Sequence, residues 1–220
     1  GQTTIPQEVR QALDIKPGDL LLWETDEGIA KVRRVQPLDL AYLRGVERRG
    51  AVLAELQCGD AAAGDTALVA AMRAFRDGAA NVPMAEWPRR FWATLLAEPA
   101  LRRRVAVAVP FDATDRLGDL ATGPRAALLL RLAAGLPEAE AASVLGVGEA
   151  SYRLALRGAL PHHGDGRADP QAWQHLRDQV HRKIKPLAPE RLSRLAQARE
   201  AQLRGEPAAD HPLASAAEAP

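Results

Sequence analysis

The sequence predicts an α+β fold: a small β-rich module followed by a mostly all-α domain containing a helix-turn-helix. Three observations predict it. Two β-prone runs, Leu20–Thr25 and Ile29–Val35, flank the turn residues Asp26, Glu27 and Gly28. Beyond residue 36 alanine and leucine dominate and aromatics are only 4% of the chain, a composition that favours helices. Within Leu120–Leu160, glycines and prolines divide an apolar run into three helix-sized pieces.

The first 36 residues behave differently from the rest. Gln2–Pro6 is short and β-prone, and Gln7–Leu13 makes one or two helical turns with Val9 and Leu13 on one side. Lys16-Pro-Gly-Asp19 is a turn, because proline presets φ and glycine accepts a positive φ. The two β-prone runs then form a hairpin. Pro37–Glu55 carries an apolar stripe of Leu40, Leu43, Val46 and Leu53. It reads as a connector helix, with a toxin-binding segment as the alternative.

The string GQTTIPQEVRQALDIKPGDLLLWETDEGIAKVRRV resembles the swapped-hairpin DNA-binding module of the AbrB, MazE and SpoVT type. The Gly-Gln-x-Thr-Ile-Pro start, Arg10 and the Lys-Pro-Gly-Asp turn carry that resemblance. It implies an AbrB-like module over residues 1–49 that forms a homodimer, with Arg10 as a DNA contact. A hairpin this small cannot bury a core alone, which fits a need for a second copy. Asp14 stands where that family has glycine, and the family's leading strand would precede Gly1. The chain opens on Gly1 rather than Met, so a fragment or a processed chain is expected.

Residues 50–64 read as a linker, with Cys58–Thr66 small and polar and either Asp65 or Thr66 capping the next helix. Leu68, Met72 and Phe75 then share a helical face. Trp87, Phe91, Trp92 and Leu95 share another, and their spacing indicates core rather than a base-stacking platform. Pro99 starts a further helix, in which Arg102–Arg104 is a solvated basic run or, alternatively, a weak phosphate contact.

In the central stretch, Thr122 and Pro124 open a helix and Gly135 ends it. Pro137 opens the second and Gly146 ends it, and Gly148 leads to the third, which Pro161 closes. Ala142, Gly146, Tyr152 and Leu156 have helix-turn-helix spacing. Residues 65–206 therefore form one helical domain. Pro124, Arg125, Leu128–Arg131, Gly135, Leu136, Glu140, Ala142, Leu145 and Gly146 resemble the fourth conserved region of bacterial sigma factors. That resemblance implies a recognition helix at EASYRLALRGAL, with Ser151, Arg153 and Arg157 as the DNA-binding residues. Only Arg153 and Arg157 are basic there, so base reading and protein docking both stay open.

His162, His163 and Asp165 are metal-ligand types in a loop, but adjacent histidines point apart and no metal site is expected. From 173 to 206 there are eight basic and four acidic residues. The reading places Arg191, Arg194, Arg199 and Arg204 outward, where they could assist phosphate contacts. Residues 207–220 read as a disordered tail.

Net charge is +1, so any nucleic-acid site must come from local patches. One cysteine suits a cytoplasmic location, and no apolar run is long enough to span a bilayer. No glycine-rich phosphate loop, paired cysteines or HExxH is present, so neither an enzyme nor a cofactor is expected. Together these features describe a DNA-binding transcription regulator, sigma-factor-like and/or AbrB-like, with duplex DNA as partner. The alternative is an antitoxin-like or sigma-like module that docks on a toxin or RNA polymerase.

Overall fold

The computed structural model describes residues 5–12, 15, 20–26, 29–35, 38–79, 82–103 and 117–201. Contacts divide the chain into two units, Gly1–Tyr42 and Leu43–Pro220. The expected Gln2–Thr4 start, Leu13, Asp14, the Lys16–Asp19 turn, Glu27 with Gly28, Arg104, Arg204 and the tail 207–220 lie outside the described residues.

The first unit holds α1 (Gln7–Ala12), β1 (Leu20–Asp26) and β2 (Ile29–Val35). The strands are antiparallel, with register running from Leu20 opposite Val35 to Asp26 opposite Ile29. Helix α1 follows Pro6, whose carbonyl accepts from the Arg10 amide at 3.0 Å. The Arg10 carbonyl in turn accepts from the Ile15 amide at 2.8 Å.

The fold class differs from the α+β expectation. Among the described residues helix predominates, and strand is confined to this single two-stranded ladder. The described residues are mostly all-α and do not show a β-rich swapped-hairpin module. The physical reason is supply. Few runs have β-branched and aromatic character, whereas most of the chain is rich in Ala and Leu, whose side chains lose little freedom in a helix.

Among its described residues the second unit's regular elements are all helices. Helix α2 (Leu38–Cys58) crosses the division between the units, and its second half forms the interior of the second. Ala51, Val52, Leu53 and Ala54 are each 0% exposed. A helix buried on every side must carry apolar residues all round, which Ala-Val-Leu-Ala provides. The stretch 50–64 is thus the end of α2 and the start of α3 (Ala61–Ala79). Asp60 caps α3, its carboxylate accepting from the Ala63 amide at 2.6 Å, whereas Asp65 is buried inside it. Gly64 lets the two helices approach: a Cβ there would lie 2.7 Å from the Glu55 backbone nitrogen.

Next come a 3-10 turn (Met84–Glu86), α4 (Trp87–Ala97) and α5 (Pro99–Arg102). Phe75 meets Trp87 and Phe91 edge-on at 5.6 and 5.9 Å, and Phe91 meets Trp92 at 5.0 Å. Such edge-to-face pairs suit the ring quadrupoles. All four rings are buried, so the aromatic set is core.

Helix α6 (Thr122–Leu129) continues as a π-turn (Leu130–Ala134), followed by α7 (Glu138–Leu145) and α8 (Glu149–Ala159). Ala121 rather than Thr122 occupies the cap position of α6. Gly135 and Gly146 have φ of 75° and 66°, left-handed values that end their helices without a Cβ clash. The Leu136 amide reaches back to the Leu130 carbonyl at 3.1 Å, and that of Val147 to Ala142 at 3.0 Å. Helices α9 (Pro170–Ile184) and α10 (Pro189–Ala201) complete the unit. Asp169 caps α9, accepting from the amides of Gln171 and Ala172 at 3.0 Å each.

Candidate nucleic-acid interface

Helices α6, α7 and α8 pack as a compact trio around Tyr152, which is 0% exposed. Its hydroxyl donates to the Ala127 carbonyl of α6 at 3.0 Å. Burial pushes the phenol above its usual range, and the charges of Arg131 and Glu138 act on it in opposite directions. Tyr152 is therefore a neutral donor that fixes the roll of α8. With Tyr152 and Ala159 inward, the residues left outward are set by helical geometry.

Arg125 supports the same trio from behind. Its guanidinium donates to the Gln57 carbonyl at 3.0 Å, to Leu120 at 2.9 Å and to Gly118 at 3.2 Å. It joins the C-terminal end of α2 to the turn before α6. Gln57 answers by donating to the carbonyls of Leu101 at 3.3 Å and Thr122 at 3.1 Å. Arg125 is thus a buried tie rather than a surface charge.

The outward face of α8 carries Ser151, Arg153, Leu154 and Arg157, all exposed. Arg153 is not available to a ligand as a bare charge. It donates to Glu138 at 3.1 Å and to Glu149 at 2.9 Å. Two carboxylates around one guanidinium give a local field unfavourable to phosphate. Beside them stand Leu154 at 70% exposure and Val147 at 43%. Ser151 and Arg157 share the surface with these apolar side chains. In the first unit, Arg10 is exposed on α1. The structure thus brings Ser151, Arg153 and Arg157 onto one helix, while Arg10 belongs to the other unit.

Of the arginines expected to face outward at the end of the chain, Arg194 is exposed, whereas Arg191 and Arg199 turn inward. Arg199 is buried and paired with Glu47 of α2. Arg191 donates to Glu55 at 2.6 Å and to both Asp65 oxygens at 2.7 to 3.0 Å. Lys183 of α9 donates to the other Glu55 oxygen at 2.7 Å. The reason is that α2 and α3 bury three carboxylates, Glu47, Glu55 and Asp65, and buried charge demands partners. A pattern of basic residues along one helix cannot reveal acids buried over 120 residues earlier; an acidic residue inside an otherwise apolar helix, such as Glu55 in Ala-Val-Leu-Ala-Glu-Leu, is the available signal.

Among the described residues no group of three or more metal-ligand side chains is gathered. His163 stands 3.6 Å from the Asp169 carboxylate, and His162 lies in an isolated bridge to Ala168. No described helix is long and apolar enough to cross a membrane.

Comparison with curated proteins and with solved structures returns no match for this chain. At the N-terminus, residues 1–37 match the MazE family, described as antidote-toxin recognition MazE, bacterial antitoxin.

Proposed function

We propose that this protein is a transcription regulator that works by binding alone, without covalent chemistry. In this reading residues 1–37 are its MazE-type DNA-binding part, dimerising with a second copy and contacting DNA through Arg10. The helical unit is a sigma-like module, and α7 with α8 is its helix-turn-helix. That helix-turn-helix docks on a protein partner, RNA polymerase or a toxin, rather than reading bases.

The observation that carries the second half is the engagement of Arg153 by Glu138 and Glu149 beside the exposed Leu154. Base reading asks for free donors directed into a groove. A desolvated protein interface instead favours an apolar centre with a charged rim. The match of residues 1–37 supports the first half.

The test is binding of a labelled duplex by the full chain across a salt series. Arg10→Ala is expected to weaken binding and to lower the salt slope by about 1, the signature of a lost phosphate contact. Arg153→Ala is expected to leave binding unchanged, because the residue is already neutralised. A loss with Arg153→Ala as large as that with Arg10→Ala sinks the division of labour. Leu154→Asp is expected to abolish capture of purified RNA polymerase or toxin while leaving DNA binding intact.

A further inference from the structure

We infer that the helical unit carries a duplex-phosphate-binding surface away from α8, built by Arg44, Arg48 and Arg49 of α2, Arg131 of the π-turn and Lys185 at the end of α9. All five are exposed. Three hydrogen bonds bring them together. Arg48 donates to the Lys185 carbonyl at 3.3 Å, Arg49 to the Ala134 carbonyl at 3.2 Å, and Arg131 to the Leu136 carbonyl at 3.3 Å. The last two acceptors are two residues apart on the turn that ends the π-segment, and that segment packs against α9. Arg44 lies one helical turn before Arg48, and both charges act on Glu47 from the same side of α2.

The acids that would cancel this field are turned away from it. Glu47 is 6% exposed and taken by Arg199, and Glu55 is 8% exposed and held by Lys183 and Arg191. On the α8 side stands Glu138, which Arg153 occupies. The outward result is a cluster of positive charge on a chain whose net charge is only +1. Each backbone-anchored guanidinium spends one or two of its five N–H groups on a carbonyl and keeps the others for a ligand.

Four of the five side chains are arginine, whose planar fork matches phosphate oxygens. Among the described residues the exposed large hydrophobics of this unit are Met84, Val147 and Leu154, and none belongs to the cluster. Insertion into a membrane interface asks for an apolar face. A rigid, polar, arginine-rich surface fits the evenly spaced charges of a nucleic-acid duplex.

The experiment measures binding of the full chain to a random-sequence 30-base-pair DNA duplex as salt is raised. Arg44→Gln, Arg48→Gln and Arg49→Gln combined are expected to make the plot of log affinity against log salt shallower by about 2 to 3, since each phosphate contact contributes about 0.9. Arg44→Gln with Lys185→Gln, which leaves the three backbone anchors in place, is expected to remove about 1 to 2. That pair carries the test if the triple variant fails to melt cooperatively. An unchanged slope in a folded variant overturns the inference. So does a wild-type slope near zero, or binding to phosphatidylserine vesicles with none to the duplex. Because Arg10→Ala removes a contact of the other unit, a slope that falls with Arg10→Ala and not with these variants assigns all phosphate binding to the first unit.

Discussion

Arg191 of α10 donates a 2.6 Å hydrogen bond to Glu55 of α2, 136 residues earlier in the chain. The same guanidinium grips Asp65 of α3 through both carboxylate oxygens. One side chain therefore joins three helices, and it does so where little water remains, since the Arg191 side chain is 13% exposed. Removing one member of a buried ion pair leaves charge without compensation. Arg191→Ala is expected to lower unfolding free energy by about 3 to 5 kcal/mol. Replacing Arg191, Glu55 and Asp65 together by Met, Met and Leu is expected to restore most of that loss. Urea denaturation of the two variants decides it; equal losses would show that packing, not charge, is what the site supplies.

The same site sets a pH dependence. Burial pushes the Glu55 carboxyl up, but the hydrogen bonds and charges of Lys183 and Arg191 outweigh burial and hold it below its ordinary range. A carboxyl lowered by folding contributes stability that is full above its unfolded value, about 4.3, and is lost as pH falls through the folded value. Glu47 has the opposite sign. Burial leads there and raises its pKa in spite of Arg199, so its contribution falls as pH rises above about 4.3 through the folded value. Denaturation from about pH 3 to 7 is expected to show an acid-side loss that Glu55→Gln flattens and Glu47→Gln does not. If Glu55→Gln leaves that limb as steep as before, another carboxylate is responsible.

Tyr152→Phe tests the centre of the α6–α8 trio. The substitution keeps the ring and removes one of two donors to the buried Ala127 carbonyl, which still accepts from the Leu130 amide. A loss of about 0.5 to 1.5 kcal/mol is expected, the net worth of one hydrogen bond. DNA affinity at fixed salt should not change, because the hydroxyl faces α6. A thermal melt and a binding isotherm on one preparation check both halves.

Gly64→Ala tests the close crossing of α2 and α3. The added methyl meets backbone atoms of Ala54 and Glu55 at 2.7 to 3.0 Å, and backbone cannot rotate away. Overpacking of this kind costs about 1 to 3 kcal/mol. Gly123→Ala is the control: its Cβ meets nothing within 4 Å, and alanine favours a helix. Should both variants melt alike, the helices have room to separate.

Much of the helical unit was legible along the chain. Gly135 and Gly146 mark their helix ends because only a residue without a Cβ takes a positive φ freely. Asp169 announces α9, and the Trp87, Phe91 and Trp92 spacing announces a buried face. These are local signals, and local geometry obeys them. The strand content misled because two β-prone runs suggest a module, while among the described residues they form a two-stranded ladder.

The amino-acid sequence by itself determined several helix ends, Gly135, Gly146 and Asp169 among them, and the apolar face of Phe91 and Trp92, but not where α2 ends and α3 begins. It also determined the N-terminal pattern that matches the MazE family over residues 1–37. Only the tertiary structure decided which charges face water. Arg191 and Arg199 look like surface residues of a basic helix, yet Glu55, Asp65 and Glu47 draw them inward. Arg153 looks like a base reader, yet Glu138 and Glu149 occupy it. Arg48 and Arg49 look unremarkable in α2, yet backbone carbonyls of distant segments gather them with Lys185 and Arg131. The physical reason is that backbone caps and helical periods act within a few residues, whereas electrostatic partnership depends on distance in space, which periodicity along one helix does not encode.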